Sequence, residues 1–274
     1  MADIFLFIQQ GWKNIWKQKN IFLFSMFALS FQLFNFFQSK FEWKSTQPLF
    51  YIILGLTSLI ISLIGFIGMP YLAYCSAANK QSSMQETLSS IHKFGLRVIG
   101  CSCLSILALS PIIVWALALS IKKSTVPPQI SDQIFFLSLP VSIFSAVFYL
   151  AFPSIFANDH GILQSAKDAW NIFIGHFTVL AILGILITVI FRMSSVMAGA
   201  LTVFFQSGFN QIALAKIDLI NPSATLGNNA LFVVLNSANQ VILNPLSTSA
   251  FILAYLKYGE IKVPSVTKRK RSSI

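Results

Sequence analysis

Residues 49–75 read LFYIILGLTSLIISLIGFIGMPYLAYC, 27 positions without a single Asp, Glu, Lys or Arg. A helix that crosses the hydrocarbon of a bilayer needs about 20 such residues. Working outward from this stretch, the same signal recurs. Apolar runs near 21–38, 96–121, 134–157, 172–192 and 230–256 are separated by short polar connections, one of which carries Pro127-Pro128. The expected fold is therefore all-α: a polytopic transmembrane helical bundle of six spans, with residues 1–258 as one transmembrane domain and 259–274 as a basic cytoplasmic tail.

Composition agrees. Hydrophobic residues make up 55% of the 274-residue chain and charged residues 10%, against about 25% charged in soluble domains. There is too little charge to cover a water-facing globule. The net charge of +11 raises nucleic acid as a partner, but the basic residues sit in short loops and at the C-terminus, where they anchor and orient helices. Membrane lipids and other membrane proteins are the expected partners; nucleic acid is not.

The segment 194–217 is apolar enough to add a seventh span, with Arg192 in a tight turn before it; a kinked extension of the fifth span or an interfacial helix are the alternatives. Basic residues favour six. With both termini inside, thirteen of the 19 Lys and Arg fall on the inner side, among them Lys80, Lys93, Arg97, Lys167 and the run Lys268-Arg269-Lys270-Arg271. A seventh span would export that run and erase the bias. The expected location is a prokaryotic cytoplasmic (inner) membrane. The start of the chain has Asp3 and the early break Gln9-Gln10 in place of a basic n-region and a cleavage site, so the first span reads as a retained anchor.

Three polar segments on the expected inner side place apolar residues at three- and four-residue spacing: 8–17, with Ile8, Trp12, Ile15 and Trp16; 84–94, with Met84, Leu88, Ile91 and Phe94; and 162–173, with Ile162, Ala166, Ala169, Trp170 and Phe173. Each is expected to be an amphipathic helix in the interface. Trp12, Trp16 and Trp170 suit that depth, since indole has an apolar body and one N–H donor. Lys268, Arg269, Lys270 and Arg271 are candidate contacts for anionic head groups. Trp12, Ile91 and Trp170 are 79 residues apart each time, as three copies of a unit would be: interfacial helix, span out, span back.

The last span carries the densest polar set. Asn236, Asn239, Gln240 and Asn244 fall on one helical face, and Pro245 follows. Such a row either bonds neighbouring helices or lines a polar cavity; it is the candidate binding face, with Gln32, Asn35, Gln206, Asn210 and Gln211 as possible partners. His176 reads as a hydrogen-bonding residue in the first turns of the fifth span. Gly65, Gly68 and Gly184 permit close packing. No charged residue lies near the middle of a confident span, which weighs against ion-coupled transport.

Catalysis finds little support. Asp159-His160, flanked by Asn158 and Gly161 and near only Asp168, reads as a turn capping the next helix. Walker, Rossmann, nucleophile-elbow and CxxC signatures are missing. Cys101 and Cys103 lie about 200° apart on a helix and are poor joint ligands. No cofactor, metal or catalytic residue is expected.

The run Phe152-Pro153-Ser154-Ile155-Phe156-Ala157-Asn158-Asp159-His160-Gly161, followed by Ala166, Ala169 and Trp170, forms one pattern. Leu243-Asn244-Pro245-Leu246 with Ala254-Tyr255-Leu256-Lys257-Tyr258 forms another, and Ser83 to Phe94 a third. Together they resemble six-span bacterial and archaeal membrane proteins related to the membrane domain of glycerophosphoryl diester phosphodiesterase, and inner-membrane families of the same layout. This chain departs from that pattern at Ala169, where Ser is usual, and at Glu260 and Lys262, where Arg is usual. The resemblance implies a membrane module without the phosphodiesterase's catalytic barrel. The function expected is thus non-enzymatic: a scaffold or accessory subunit contacting lipid. A transporter or lipid-handling permease working through the last span is the alternative, and a membrane-embedded lipid-processing enzyme a more distant one.

Overall fold

A computed structural model describes residues 2–41, 47–121, 146–207, 226 and 229–259. Among them every regular element is a helix: α1 (Ala2–Lys17), α2 (Asn20–Phe41), α3 (Pro48–Ala77), α4 (Met84–Ile121), α5 (Ala146–Asn158), α6 (Ile162–Gly175), α7 (Phe177–Ser207) and α8 (Ala230–Tyr258). Apolar sequence in hydrocarbon has no other way to satisfy its backbone, short of a closed barrel. Helices α2, α3, α4 and α7 are long and apolar enough to cross a membrane, and only 17–33% of each apolar window is buried against protein. The remainder, including Ile53, Leu56 and Ile60 of α3 and Met193 and Met197 of α7, faces outward, as lipid-contacting surface does.

Several boundaries differ from the sequence reading. The segment 84–94 is no separate interfacial helix, because α4 runs unbroken for 38 residues, about 57 Å at 1.5 Å per residue. That is nearly twice a hydrocarbon core of about 30 Å, so its polar first turns project from one end. The start of α4 is fixed by a capping box: Ser83 N–H donates to Glu86 Oε2 (2.9 Å) and Glu86 N–H to Ser83 Oγ (3.2 Å). The fifth span begins after a break at His176 and continues to Ser207, so Arg192 lies within a helix and the tight turn of the seven-span alternative is not formed. Of the fourth expected span, residues 146–157 lie in α5; 134–145 fall outside the described residues, as do 208–217 and the basic run 268–271.

The α2–α3 hairpin is held at very short range. A Cβ on Gly65 would lie 2.2 Å from Ala28 N and 2.4 Å from Phe24 O, so only glycine lets the two backbones approach. Ser62 Oγ donates to Ala28 O (2.8 Å) and Ser30 Oγ to Ser58 O (2.8 Å). Small and hydroxyl residues do this between membrane helices because lipid tails are as apolar as leucine and supply no drive to pack.

Helix α8 is the centre of the bundle. From Pro245 to Ile252 every residue is buried, and the helix packs on α1, α2, α3 and α7. Helix α1 docks antiparallel along its second half: Asp3 meets Lys257 (2.7 Å) and Tyr258 (3.0 Å), Phe7 stacks edge-on against Tyr258, and Gly11 lies against Ala250 and Leu246. The sequence put Ile8, Trp12, Ile15 and Trp16 on one apolar side. Instead Ile4, Phe7, Gly11 and Ile15 face the core, while Trp12 and Trp16 remain 43% and 52% exposed.

A latch occurs twice. Lys17 Nζ donates to Asn79 Oδ1 (3.4 Å), and Arg97 Nη1 donates to Asp159; both links span 62 residues. Asn79 and Asp159 end α3 and α5, each with positive φ (54° and 57°), a conformation these two side chains tolerate better than most. The second latch lies 80 residues after the first, one residue more than the spacing of Trp12, Ile91 and Trp170. Helix α8 departs from this, since it ends on Gly259.

Replacing Gly65 by Ala must push the α2 and α3 backbones apart. We expect a loss of about 1–3 kcal/mol, read as a lowered thermal unfolding midpoint in detergent; Ala at Gly55, where the nearest atoms belong to the Phe34 ring at 3.3 Å, is the milder control.

Candidate functional site

The polar face of α8 starts from a well-formed cap: Asn229 Oδ1 accepts from Leu231 N–H (3.0 Å) and Phe232 N–H (3.4 Å). Asn236, Asn239, Gln240 and Asn244 are all half-buried. Asn239 Nδ2 donates to Ser194 O of α7 (3.3 Å), and the Asn244 carbonyl accepts from Thr248 Oγ1 (2.9 Å). The four amides thus share a side as expected, just before the fully buried half of the helix. Of these four amides only Asn239 makes an interhelical side-chain bond among the described residues. Gln32 and Asn35 are exposed on α2 and do not join the row; Gln206 has no described side chain, and Asn210 and Gln211 lie outside the described residues.

A second polar constellation gathers at the opposite end of α8, where α3, α5 and α8 end and α4 starts. Helix α6 lies across it: Ile162 packs on Gly100 of α4 at one end, and Ile172 on Gly259 and His176 on Tyr258 of α8 at the other. Asp168, in the middle of α6, is the hub. Its Oδ2 accepts from Ser154 Oγ of α5 (2.7 Å) and from His160 Nδ1 (2.8 Å); its Oδ1 accepts from Gln164 Nε2 (2.8 Å). Ser154 Oγ also lies 3.1 Å from His160 Nδ1, and the Tyr255 hydroxyl reaches Ser154. Ser154 is fully buried. Beside this hub, Asp159 pairs with Arg97 and with Lys93 (3.3 Å).

Serine, histidine and aspartate in contact invite comparison with a hydrolytic triad. There the imidazole bridges, one nitrogen to serine and the other to aspartate. Here serine and aspartate both meet Nδ1, and a buried serine offers its oxygen to no substrate. The arrangement is a lock between α5 and α6. The expected capping turn is also different: Gly161 occupies the N-cap of α6 without a side-chain bond, while Asp159 is turned by its positive φ toward α4. Sequence reading named Asp159, His160 and Asp168 but missed Ser154, Arg97 and Lys93, whose partners become adjacent only when α4, α5 and α6 converge.

The other expected positions are scattered. Trp170 is 44% exposed on the outer side of α6. His176 is not inside a span; it sits at the α6–α7 break, stacked on the Tyr258 ring at 4.0 Å. Cys101 is buried and Cys103 exposed, pointing apart as their spacing requires.

Two acids at this end have lowered pKa values. Asp159 is held below the usual carboxylate range by hydrogen bonds from Arg97 and Lys93, and Asp3 by those from Lys257 and Tyr258. Tyr258 is pushed up to about 12, by burial first and by Asp3 second.

No family model, curated protein or solved structure matches this chain.

Two outcomes are expected. A carboxyl with a lowered folded pKa stabilises fully above its unfolded value, near 3.9, and loses that contribution as pH falls through the lower folded value. Thermal stability should therefore drop as the pH is taken below about 4, and Asp159→Asn should flatten that limb. Asp168→Ala removes the acceptor shared by Ser154 Oγ, His160 Nδ1 and Gln164 Nε2, leaving the buried Ser154 with His160 and Tyr255 alone, at a cost of about 1–3 kcal/mol in the same unfolding measurement.

Proposed function

We infer that this chain is a non-enzymatic integral membrane protein that serves as a scaffold or accessory subunit in contact with lipid. One observation carries the reading. Each acidic side chain among the described residues is engaged inside the fold: Asp3 with Lys257 and Tyr258, Glu86 in its capping box, Asp159 with Arg97 and Lys93, and Asp168 with Ser154, His160 and Gln164. Three of these hold separate segments together and Glu86 caps its own helix, whereas a proton relay or a general acid needs a carboxylate free to meet its substrate.

In this reading the end that carries Lys80, Lys93, Arg97, Lys167 and Lys257 faces the cytoplasm of a prokaryotic inner membrane, with six spans and both termini inside. Trp12, Trp16 and Trp170 set its depth, and Lys268 to Arg271 meet anionic head groups. The likeness to the glycerophosphoryl diester phosphodiesterase membrane domain supports a membrane module that works beside other proteins. Extraction in native lipid particles followed by mass spectrometry tests it: a stoichiometric protein partner is expected, and an enriched small solute with no protein would overturn it.

A second reading, a permease using α8, draws on Asn236, Gln240 and Asn244, half-buried amides beside a proline. The Asn239–Ser194 bond favours packing instead. Replacing Asn239 by Leu should lower stability by about 0.6–2 kcal/mol in thermal unfolding, whereas a folded Asn239→Leu, Asn244→Leu double variant that loses solute flux would establish the permease.

A further inference from the structure

An apolar cleft of about 490 Å³ opens between α3, α4, α5 and α6, lined by Phe66, Cys101, Ser105, Phe148, Ala166 and Trp170 among others. Its size falls within the usual range for ligand sites, about 300–1,000 Å³. Its position is specific. Helix α6 crosses the polar end of the bundle, and the cleft lies directly under it: Ala166 and Trp170 close it at that end, while the α4 lining runs about two turns deeper, from Cys101 to Leu109. Exposed apolar residues continue outward from its rim, with Leu163 of α6 74% and Ile106 of α4 59% exposed. The cleft therefore opens onto surface suited to lipid, at the depth where an acyl chain meets its head group.

Hydrocarbon lining alone cannot choose among lipids, since a tail gains little by leaving other tails for leucine and phenylalanine. Selection must come from the polar rim. Two groups of α6 stand beside the cleft: Trp170 is in the lining itself, and Lys167, one turn before Trp170, follows the lining residue Ala166 on the neighbouring, exposed side of the helix. Lys167 is exposed and makes no ion pair among the described residues, unlike Lys93, Arg97 and Lys257. The Trp170 indole supplies one donor beside it.

We propose that this cleft is the binding site for one phospholipid with a net-anionic head group, its tail between α4 and α5 and its phosphate against Lys167 and the Trp170 indole. The assignment rests on the reading of the chain as a lipid-contacting membrane protein and adds the site and the lipid class. The occupant is a bilayer lipid, since the cleft joins lipid-suited surface and the charge that α6 presents beside it, Lys167, is positive and makes no ion pair among the described residues.

The test leaves Trp170 as sole fluorophore by replacing Trp12, Trp16, Trp43 and Trp115 with Phe. The full chain is reconstituted in phosphatidylcholine bilayers containing small, equal amounts of brominated-chain phosphatidylglycerol or phosphatidylcholine. Brominated phosphatidylglycerol should quench Trp170 at about fivefold lower mole fraction, the preference one lysine provides at a membrane surface. Lys167→Glu should abolish that preference, and Ser105→Phe, which fills the cleft, should weaken quenching by both lipids. Equal quenching by the two, unchanged by Lys167→Glu, overturns the head-group assignment while leaving lipid contact intact. No quenching by either shows the cleft closed to lipid and removes the lipid-contact reading as well. Should the four-tryptophan variant fail to fold, native mass spectrometry of the unaltered protein and of Lys167→Glu, released from mixed bilayers, reads the same preference.

Discussion

Hydrocarbon offers no hydrogen bonds, and the arrangement of this protein follows from that. Each backbone donor must be satisfied within its own helix, so apolar runs such as 49–75 become helices whatever their β-branched content. The same constraint sorts the side chains. Many hydroxyls of α2, α3, α4, α7 and α8 bond to nearby carbonyls, as Ser62 does to Ala28 and Thr202 to Ala198. All four acidic residues among those described gather at one end, where water and cations are within reach.

Since apolar side chains gain little by meeting one another in lipid, contact must come from close fit. Gly65 lets α2 lie against α3, and Gly11 lets α1 lie against α8. The second half of α8, rich in Ser, Thr and Ala, is surrounded on all sides. Its small side chains allow several helices to approach, at the cost of one buried hydroxyl without a partner among the described residues of that half, Ser249. The large aromatics fill what remains: Phe152, Phe156, Tyr149 and Phe251 form a continuous ring-to-ring contact between α5 and α8.

The polar end has a different logic. There the pairs are half-exposed, and such pairs contribute little each. Their value is positional. The Lys17–Asn79 latch fixes the end of α3 to the end of α1, the Arg97–Asp159 latch fixes the end of α5 to the polar part of α4, and Asp168 ties α5 to α6. With α6 laid across the bundle, one of its sides is committed to the core through Ser165, Ala169 and Phe173. The other keeps Leu163, Lys167 and Trp170 outward, over the apolar cleft.

The sequence by itself determined that the chain is a helical membrane protein. Its apolar runs exceed the thickness of a bilayer core, and no arrangement of neighbours changes that. It also determined the shared side of Asn236, Asn239, Gln240 and Asn244 and the opposed directions of Cys101 and Cys103, because helical period depends only on the backbone. Tertiary structure decided where helices stop and which apolar side meets protein. Residues 84–94 and 96–121 merge because nothing between them breaks a helix, whereas the break at His176 accompanies the stacking of its ring on Tyr258, over eighty positions away. In α1 both sides are apolar, and only the docking on α8 separates Ile15, buried, from Trp16, exposed. Ser154, His160 and Asp168 sit on three separate segments, and no period links them; the fold brings them together because α6 must cross the end of α5.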